Sequence, residues 1–330
     1  MFHRTRRFAA GLFCAAALMI PPTHADTTGA YPTRPIRLVV PFPPGGGADL
    51  TARLLGQKMG EALGQPVTVD NRPGANGLVG TDLVAKAAPD GYTLLLVDRG
   101  ALGINPSLYA RLPYDPQKDL AYVGIATNAP YVLVVNAGLP AQNLGELVAL
   151  ARAKPHSIYY GSFGIGSMPQ LNLEAFNQRF GIDLQHVPYK GAAGAVNAVV
   201  AGEVSVALVS APSALGFIRD GRLRALAVGA EQRLAMLPEV PTLAQAGGSG
   251  DTLIPTYFAL AAPAGTPPAV IARLNAEMKR ALAAPEVADK LLANGLVPEG
   301  GTPEALAGTV TRDIAWFGAL AKAIGLKPEQ

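Results

Sequence analysis

The chain has 330 residues, of which 49% are hydrophobic and 15% are charged. A chain of this length favours about two domains. Its apolar content excludes global disorder, which requires low hydrophobicity and a high net charge. The formal net charge is +3, and most of that excess lies at the N-terminus.

The first 25 residues have the pattern of a secretory signal peptide. Arg4, Arg6 and Arg7 precede an apolar run over 8–20, and Thr23 and Ala25 are small residues at the −3 and −1 positions of a cleavage site. The run is too short to span a bilayer. We therefore expect cleavage near Ala25 and export of the mature chain.

Cleavage changes which functions remain possible. Removing three arginines from 27 basic residues leaves 24, against 24 acidic residues, so the basic excess of a nucleic-acid-binding protein is missing. The sole cysteine, Cys14, is also removed, which excludes disulfides, thiol nucleophiles and cysteine-ligated metals. Only His156 and His186 remain, which excludes a multi-histidine metal site. We expect no metal site and no cofactor.

The residues after the signal peptide predict a β-α-β-α-β unit. We expect strands over 36–42, 67–69 and 92–97, with helices over 49–63 and 78–88 between them. Such alternation indicates a parallel sheet covered by helices. The sequence thus begins with an α/β domain.

A second unit of similar size follows. We expect strands over 131–136, 158–160, 184–187 and 204–209, and helices over 144–153, 168–180 and 192–201. The tail adds a strand over 257–262 and helices over 268–282, 289–294 and 303–323. If the tail covers the first sheet, the chain crosses twice between the units, near 127–131 and 252–257. These two crossings would form a hinge.

Two glycine-rich loops precede helices, one in each unit. The first covers 43–49 and the second covers 161–167. Glycine lets the backbone approach a ligand closely, and a helix N-terminus favours an anion. Ordinary turns or helix caps are the alternative. Two such loops facing one cleft would hold two anionic groups, or one anion and one polar end.

Three further segments follow predicted strands, where ligands bind in open α/β sheets. Tyr189 and Lys190 either face the cleft or form an exposed turn. Arg99 could pair with a carboxylate and Asp98 with a cation, or the two could pair with each other. Ser210 adds a hydroxyl after the strand over 204–209.

Eight motifs, spread in order over nearly the whole mature chain, resemble those of one known family. They are YPTRPI at 31–36, VVPFPPGG at 39–46, NRPGA at 71–75, AAPDGYTL at 87–94, LPYDP at 112–116, HVPYKG at 186–191, LRALAV at 223–228 and APAGTP at 262–267. The chain resembles the Bug family of periplasmic receptors, the TctC-like solute-binding proteins of tripartite tricarboxylate transporters.

The resemblance implies a two-lobed periplasmic binding protein of type II-like fold. Each lobe would be a mostly parallel sheet flanked by helices, with lobe 1 over 26–128 and 255–330 and lobe 2 over 129–254. The family binds small carboxylates largely through backbone amides of the two glycine loops, and the 189–191 loop borders the same cleft. The expected ligand-binding residues are Pro44, Gly45, Gly46, Gly47, Ala48, Asp49, Asp98, Arg99, Ser162, Phe163, Gly164, Gly166, Ser167, Tyr189, Lys190 and Ser210.

The chain departs from the family pattern at positions that would affect specificity. Family members commonly have small polar residues where this chain has Asp98 and Arg99, and often have an acid where it has Val209. Phe163 and Ile165 make the second loop more apolar. We therefore expect a pocket less hydrophilic than a citrate site, suited to an aromatic, branched-chain or amino-acid-like carboxylate.

These features predict a non-enzymatic, monomeric receptor that closes on its ligand and delivers it to the membrane permease of a tripartite tricarboxylate transporter. A receptor that feeds a membrane sensor kinase is one alternative. An enzyme on the same scaffold is another, but the cleft lacks a credible reactive set. The sequence does not identify the ligand.

Overall fold

The structure of the chain is a computed structural model that describes Met1, residues 31–248 and residues 252–328. Apart from Met1, the predicted signal peptide over 1–25 lies outside the described residues. Within the described ranges, every helix is too short or too polar to span a bilayer.

Strands of the described part fall into two sheets. In chain order they are β1 (Ile36–Val40), β2 (Val67–Asn71), β3 (Thr93–Asp98), β4 (Leu120–Ala129), β5 (Tyr131–Asn136), β6 (Tyr159–Ser162), β7 (Gln185–Pro188), β8 (Val206–Ser210), β9 (Leu223–Val228), β10 (Thr256–Pro263) and β11 (Val297–Pro298). Sheet 1 has the order β11-β4-β10-β3-β1-β2, and sheet 2 has the order β7-β6-β8-β5-β9.

Helices connect and cover these strands. They are α1 (Gly47–Leu63), α2 (Leu78–Ala85), α3 (Asn105–Leu108), α4 (Leu144–Ala153), α5 (Met168–Phe180), α6 (Ala192–Ala201), α7 (Ala211–Arg219), α8 (Pro268–Ala283), α9 (Pro285–Ala293) and α10 (Pro303–Ala323). A 3₁₀ turn precedes α2, and a π-helical turn joins β3 to α3.

Sheet 1 is mixed, not mostly parallel as predicted. β1 pairs in parallel with β2 and β3, as the β-α-β pattern predicts. β10 then lies between β3 and β4 and runs antiparallel to both. All eight residues of β10 are buried, because this strand is central in the sheet and covered on both faces.

Sheet 2 is mixed for a related reason. β6 pairs in parallel with β7 and β8, whereas β5 is antiparallel to β8 and β9. β5 enters sheet 2 directly from sheet 1, so it does not follow a covering helix and takes the opposite direction. The predicted α/β class is confirmed, and the strand directions are the correction.

The chain passes between the sheets at two places. Only Pro130 separates β4 of sheet 1 from β5 of sheet 2, and residues 229–255 separate β9 from β10. Thr256 is paired with Ala129, and Tyr131 is paired with Ser210, so the two passages lie close together. Residues from Pro32 onward form one compact unit, and the lobe boundaries near 128 and 254 stay a prediction.

The last long helix also links the two sheets. Phe317 and Leu320 of α10 belong to one buried cluster with Ile104 and Leu108, which follow β3 of sheet 1. The same cluster contains Leu208 of β8 and other core residues of sheet 2. The two sheets therefore share part of their hydrophobic core on one side of the passages.

Candidate functional site

A cavity of about 490 Å³ lies where the two passages meet, within the usual range of about 300–1,000 Å³ for small-molecule sites. Elements of both sheets contribute to it. Its lining residues include no Asp, Glu, Lys, Arg or His: they are Gly45, Gly46, Gly47, Leu50, Ala129, Pro130, Tyr131, Phe163, Ser210, Pro212, Ser213, Thr256, Phe258, Asn294, Gly295 and Leu296. A charged ligand would therefore depend on backbone dipoles and hydroxyl groups.

The N-terminus of α1 reaches the cavity from sheet 1. Gly46 is its N-cap, with φ −86° and ψ 177°, and no side chain caps the first N–H groups. A Cβ atom at Gly45 or Gly46 would meet nothing within 4 Å, so a ligand can approach this backbone closely. Since α1 is a long helix, its unpaired N–H groups and dipole favour an anion here.

Asp49 supports this loop from behind and does not line the cavity. Its Oδ2 accepts hydrogen bonds from the Gly45 amide at 3.0 Å and from Arg53 Nε at 2.9 Å. Its Oδ1 accepts a bond from Asn71 Nδ2 at 3.0 Å. Burial alone would raise the pKa of Asp49, but these bonds outweigh it and lower the pKa. The ionised carboxylate fixes the glycine loop.

The N-terminus of α7 reaches the same cavity from sheet 2. Ser210 is its N-cap and makes no side-chain cap to the helix amides. The Ser213 hydroxyl donates to the Ser210 carbonyl at 2.7 Å, and the Ser210 hydroxyl donates to Ser213 Oγ at 3.1 Å. This second helix start was only partly anticipated, because the sequence analysis singled out Ser210 but predicted no helix after it.

The glycine loop over 161–167 contributes only Phe163 to the cavity lining. Three of its amides donate to partners in the loop or in α5. The Gly164 amide donates to Ser162 Oγ at 3.2 Å, and the Gly166 amide donates to Gln170 Oε1 at 2.7 Å. The Ser167 amide donates to the Gly164 carbonyl at 3.3 Å. Gly164, Gly166 and Ser167 are not among the cavity-lining residues, and ligand contact at these residues and at Ser162 stays a prediction.

Ser162 is completely buried and pairs with a histidine. Its Oγ lies 2.6 Å from His186 Nε2, and burial lowers the pKa of His186. The His186 ring is stacked on Tyr160 with centroids 5.1 Å apart. The Ser162 hydroxyl also bonds to the Gly164 carbonyl and amide, so the pair connects β7 with the glycine loop.

Tyr189 and Lys190 are not among the cavity-lining residues. The Tyr189 hydroxyl donates to Glu203 Oε2 at 3.4 Å, and its ring packs beside Gly161 and Gly194. Pro44 and Ala48 flank the lining glycines without lining the cavity themselves. Ligand contact at these four residues stays a prediction.

Asp98 and Arg99 do not line the cavity. They lie at the end of β3, where Asp98 is paired with the lining residue Phe258 of β10. Arg99 Nε is 3.1 Å from Asp313 Oδ2, and its Nη1 donates to the Pro255 carbonyl at 2.6 Å. Asp98 accepts a bond from the Ala101 amide at 2.9 Å, and burial raises its pKa to about 6. Both side chains of the predicted pair therefore bind groups of the protein itself. Arg99 binds α10 and the second passage.

The walls of the cavity are mainly apolar and were missed from the sequence. Leu50, Phe258 and Leu296 come from sheet 1 and its helices, and Tyr131 starts β5. Gly47 lies close to this wall, since a Cβ there would be 3.1 Å from the Phe258 ring. No local motif marks these residues, because only the topology brings them together. The expectation of an apolar wall at Phe163 agrees with its position.

Elements of the two sheets approach each other closely at two glycines. A Cβ at Gly295 would lie 3.0 Å from Pro212, and both residues line the cavity. Outside the cavity lining, a Cβ at Gly166 would lie 2.6 Å from the Leu108 side chain. Residues 31–248 and 252–328 contain no cluster of three His, Cys, Asp or Glu side chains able to hold a metal ion.

Comparison with known proteins gives consistent matches. The family described as "Tripartite tricarboxylate transporter family receptor" matches residues 51–326. The protein BugT of Bordetella pertussis is 39% identical over 318 residues, which cover 96% of each chain. These matches confirm the resemblance drawn from the motifs, and the matched family is one of receptors, not of enzymes.

Two solved structures are similar over almost their full length. The R. palustris protein Rpa4515, solved with adipate, has a TM-score of 0.78 and 33% identity, covering 91% of this chain and 100% of that one. MatC from Rhodopseudomonas palustris, solved with bound malate, has a TM-score of 0.73 and 32% identity, covering 88% and 99%. They confirm the α/β fold with two sheets flanked by helices.

Proposed function

The chain belongs to the tripartite tricarboxylate transporter family of receptors, and from this we propose that it captures a small carboxylate-bearing solute for a membrane permease. One observation carries the proposal. The N-termini of α1 and α7, which come from different sheets, lead into one cavity that has no charged side chain. Adipate and malate, bound by two similar proteins, are both carboxylates.

Carboxylate is the group that this arrangement favours. Each helix start offers unpaired N–H donors and a partial positive charge, which stabilise an anion without a lysine or arginine. A cation would gain nothing here, since no acidic side chain lines the cavity. A fully neutral solute would leave the helix dipoles uncompensated.

The mechanism is a change of conformation. Lobe 1 comprises residues 26–128 and 255–330, lobe 2 comprises 129–254, and they turn about Pro130 and residues 229–255. A ligand held by both helix starts stabilises the closed arrangement by its greater affinity for that state. The closed receptor, exported by cleavage near Ala25 and acting as a monomer in the periplasm, then docks on the permease.

A thermal-shift screen of the purified protein tests the ligand class. We expect adipate, benzoate, phenylacetate or leucine to raise the Tm, and the matching amides to have no effect. Ligand at one hundred times its Kd stabilises the folded state by about 2.7 kcal/mol. A shift with amides and none with any acid would contradict the proposal.

The substitution Gly46→Asp tests the site itself. Aspartate is a good N-cap, so the folded protein keeps its stability, while the new carboxylate occupies the helix amides and repels the ligand. We expect carboxylate affinity to fall about 100-fold. Gly46→Ala is the matched control, because its Cβ has open space and an allowed φ of −86°. Equal affinity in both variants would overturn the anion site.

A further inference from the structure

Two hydroxyl-bearing residues form the floor of the cavity at the passages between the sheets. Tyr131 is the first residue of β5 and is paired with Ser210. Thr256 is the first residue of β10 and is paired with Ala129. Both line the cavity, and both are only 8% exposed.

Neither hydroxyl has a hydrogen-bond partner within the described part of the chain. Thr256 Oγ1 is a buried oxygen with no partner, and the Tyr131 hydroxyl forms no hydrogen bond with any residue in 31–248 or 252–328. A buried hydroxyl without a partner lowers the stability of the folded state. Proteins keep such groups mainly where a ligand or water completes them.

Comparable buried hydroxyls elsewhere in residues 31–248 and 252–328 have hydrogen-bond partners. Tyr114 donates to the Ala101 carbonyl at 2.7 Å, and Tyr257 donates to Asp313 at 3.1 Å. Thr81 donates to the Gly77 carbonyl at 2.8 Å, and Thr266 donates to the Pro263 carbonyl at 2.7 Å. Hydroxyls without a partner, those of Tyr131 and Thr256, are therefore a feature of the cavity floor.

The chemistry of the floor favours an uncharged oxygen over a second anion. Burial, and then the charge of Asp98, raise the pKa of Tyr131, so its hydroxyl stays protonated and donates. Threonine donates or accepts. Asp98 and Arg99 act on Tyr131 with opposite signs, so the floor has no net positive charge beside it to bind a second carboxylate. Around the floor, Phe163, Phe258 and Leu296 offer apolar surface.

The geometry points to a neutral polar subsite in which Tyr131 and Thr256 bind a hydroxyl or keto oxygen that the ligand carries beside its carboxylate. The ligand is then a 2-hydroxy or 2-oxo acid with an apolar body. This rests on the proposed function, because the carboxylate is placed by the helix starts.

Matched ligand pairs and matched variants test the subsite. The probes are 3-phenyllactate against 3-phenylpropanoate, and 2-hydroxy-4-methylpentanoate against 4-methylpentanoate, titrated calorimetrically into the full protein. We expect the wild type to prefer each hydroxy acid about tenfold. Tyr131→Phe and Thr256→Val, which remove an oxygen at nearly constant volume, should each weaken that preference by about threefold or more, because they cost the hydroxy acids more affinity than the plain acids.

A second measurement needs no ligand. Thr256→Val removes an unpaired hydroxyl, so the Tm of the free protein should stay the same or rise. Thr266→Val removes a paired one and should lower the Tm, with no effect on ligand preference. A Tm loss at Thr256→Val as large as at Thr266→Val would overturn the inference, because it would show that Thr256 has a structural partner.

The outcomes separate this inference from the function on which it rests. Equal losses for hydroxy and plain acids in both variants, or no preference in the wild type, overturn the subsite while carboxylate binding stands. If neutral amides bind and no acid does, the proposed function fails, and the subsite fails with it.

Discussion

Asp98 shows how the burial of a single residue makes the stability of this protein depend on pH. Burial raises its pKa to about 6 from the ordinary 3.8, so the folded state keeps a proton that the unfolded state has already lost. Asp98 therefore destabilises the folded state progressively as the pH rises through this window. Ionisation also leaves a negative charge beside Tyr131.

We expect Asp98→Asn to remove this effect. Between pH 4 and pH 7 the variant should gain up to about 3 kcal/mol of unfolding free energy relative to the wild type, since each pKa unit corresponds to about 1.4 kcal/mol. Urea unfolding at both pH values measures the difference. The exposed Asp220→Asn is the control, and a constant difference between Asp98→Asn and the wild type at both pH values would contradict the prediction.

Some residues of the cavity could be predicted from the sequence, and others could not. The glycines of 45–47 were found, because a glycine run before a helix is a local signal with a known physical use. Tyr131, Thr256 and Leu296 were missed, because they are far apart in sequence and each reads as an ordinary strand or loop residue. The loop over 161–167 has the same local signal as 45–47, but the amides of Gly164, Gly166 and Ser167 already donate to partners within the protein.

At the scale of elements, Arg99 connects β3, α10 and β10 where the second passage ends. It follows β3, contacts Asp313 of α10, donates to the Pro255 carbonyl and stacks over Tyr257 of β10 with its Cζ 4.7 Å from the ring centre. The side chains of Arg99 and Asp313 are only 10% and 14% exposed. The pair therefore fixes where β10 begins.

Removing one partner should be costly. Asp313→Ala leaves the Arg99 guanidinium buried without its counter-ion, and we expect a loss of about 3–5 kcal/mol in unfolding free energy. Chemical denaturation measures it. The double variant Arg99→Met/Asp313→Leu should recover much of the loss, because two apolar groups of similar volume need no partner. A double variant no more stable than Asp313→Ala would refute the pairing argument.

Elements differed in how well the sequence predicted them. β5, α4, α5 and α6 have the predicted bounds, because their apolar periodicity is strong and turn residues flank them. β4 was missed, since Gly124 and small residues weaken its pattern. A Cβ at Gly124 would lie 2.4 Å from the Gly301 carbonyl, so close packing requires the glycine. α7 was missed because it follows β8 with no intervening turn.

For the whole molecule, the shared core around α10 predicts that the two sheets unfold together. Phe317 packs in the cluster that contains residues of both sheets, and the sole tryptophan, Trp316, lies edge-on to it at 4.8 Å. Trp316 fluorescence thus reports on the junction, whereas far-UV circular dichroism reports on all elements.

We expect both signals to give the same urea midpoint, as in a two-state transition. Phe317→Ala should lower the unfolding free energy by about 3–5 kcal/mol through the lost packing. Separate midpoints in the wild type would show that the sheets unfold independently and would contradict the shared-core argument.

The position of β10 also has a consequence for biosynthesis. β10 alone joins β4 and β11 to β3, β1 and β2, so sheet 1 stays in two parts until residue 263 has been made. Its pairing closes loops far longer than those of local hairpins, which is slow. For most of its synthesis the chain therefore lacks the strand that unites sheet 1, whereas all strands of sheet 2 are complete by residue 228. The sheet that begins first along the chain is thus the last to be finished.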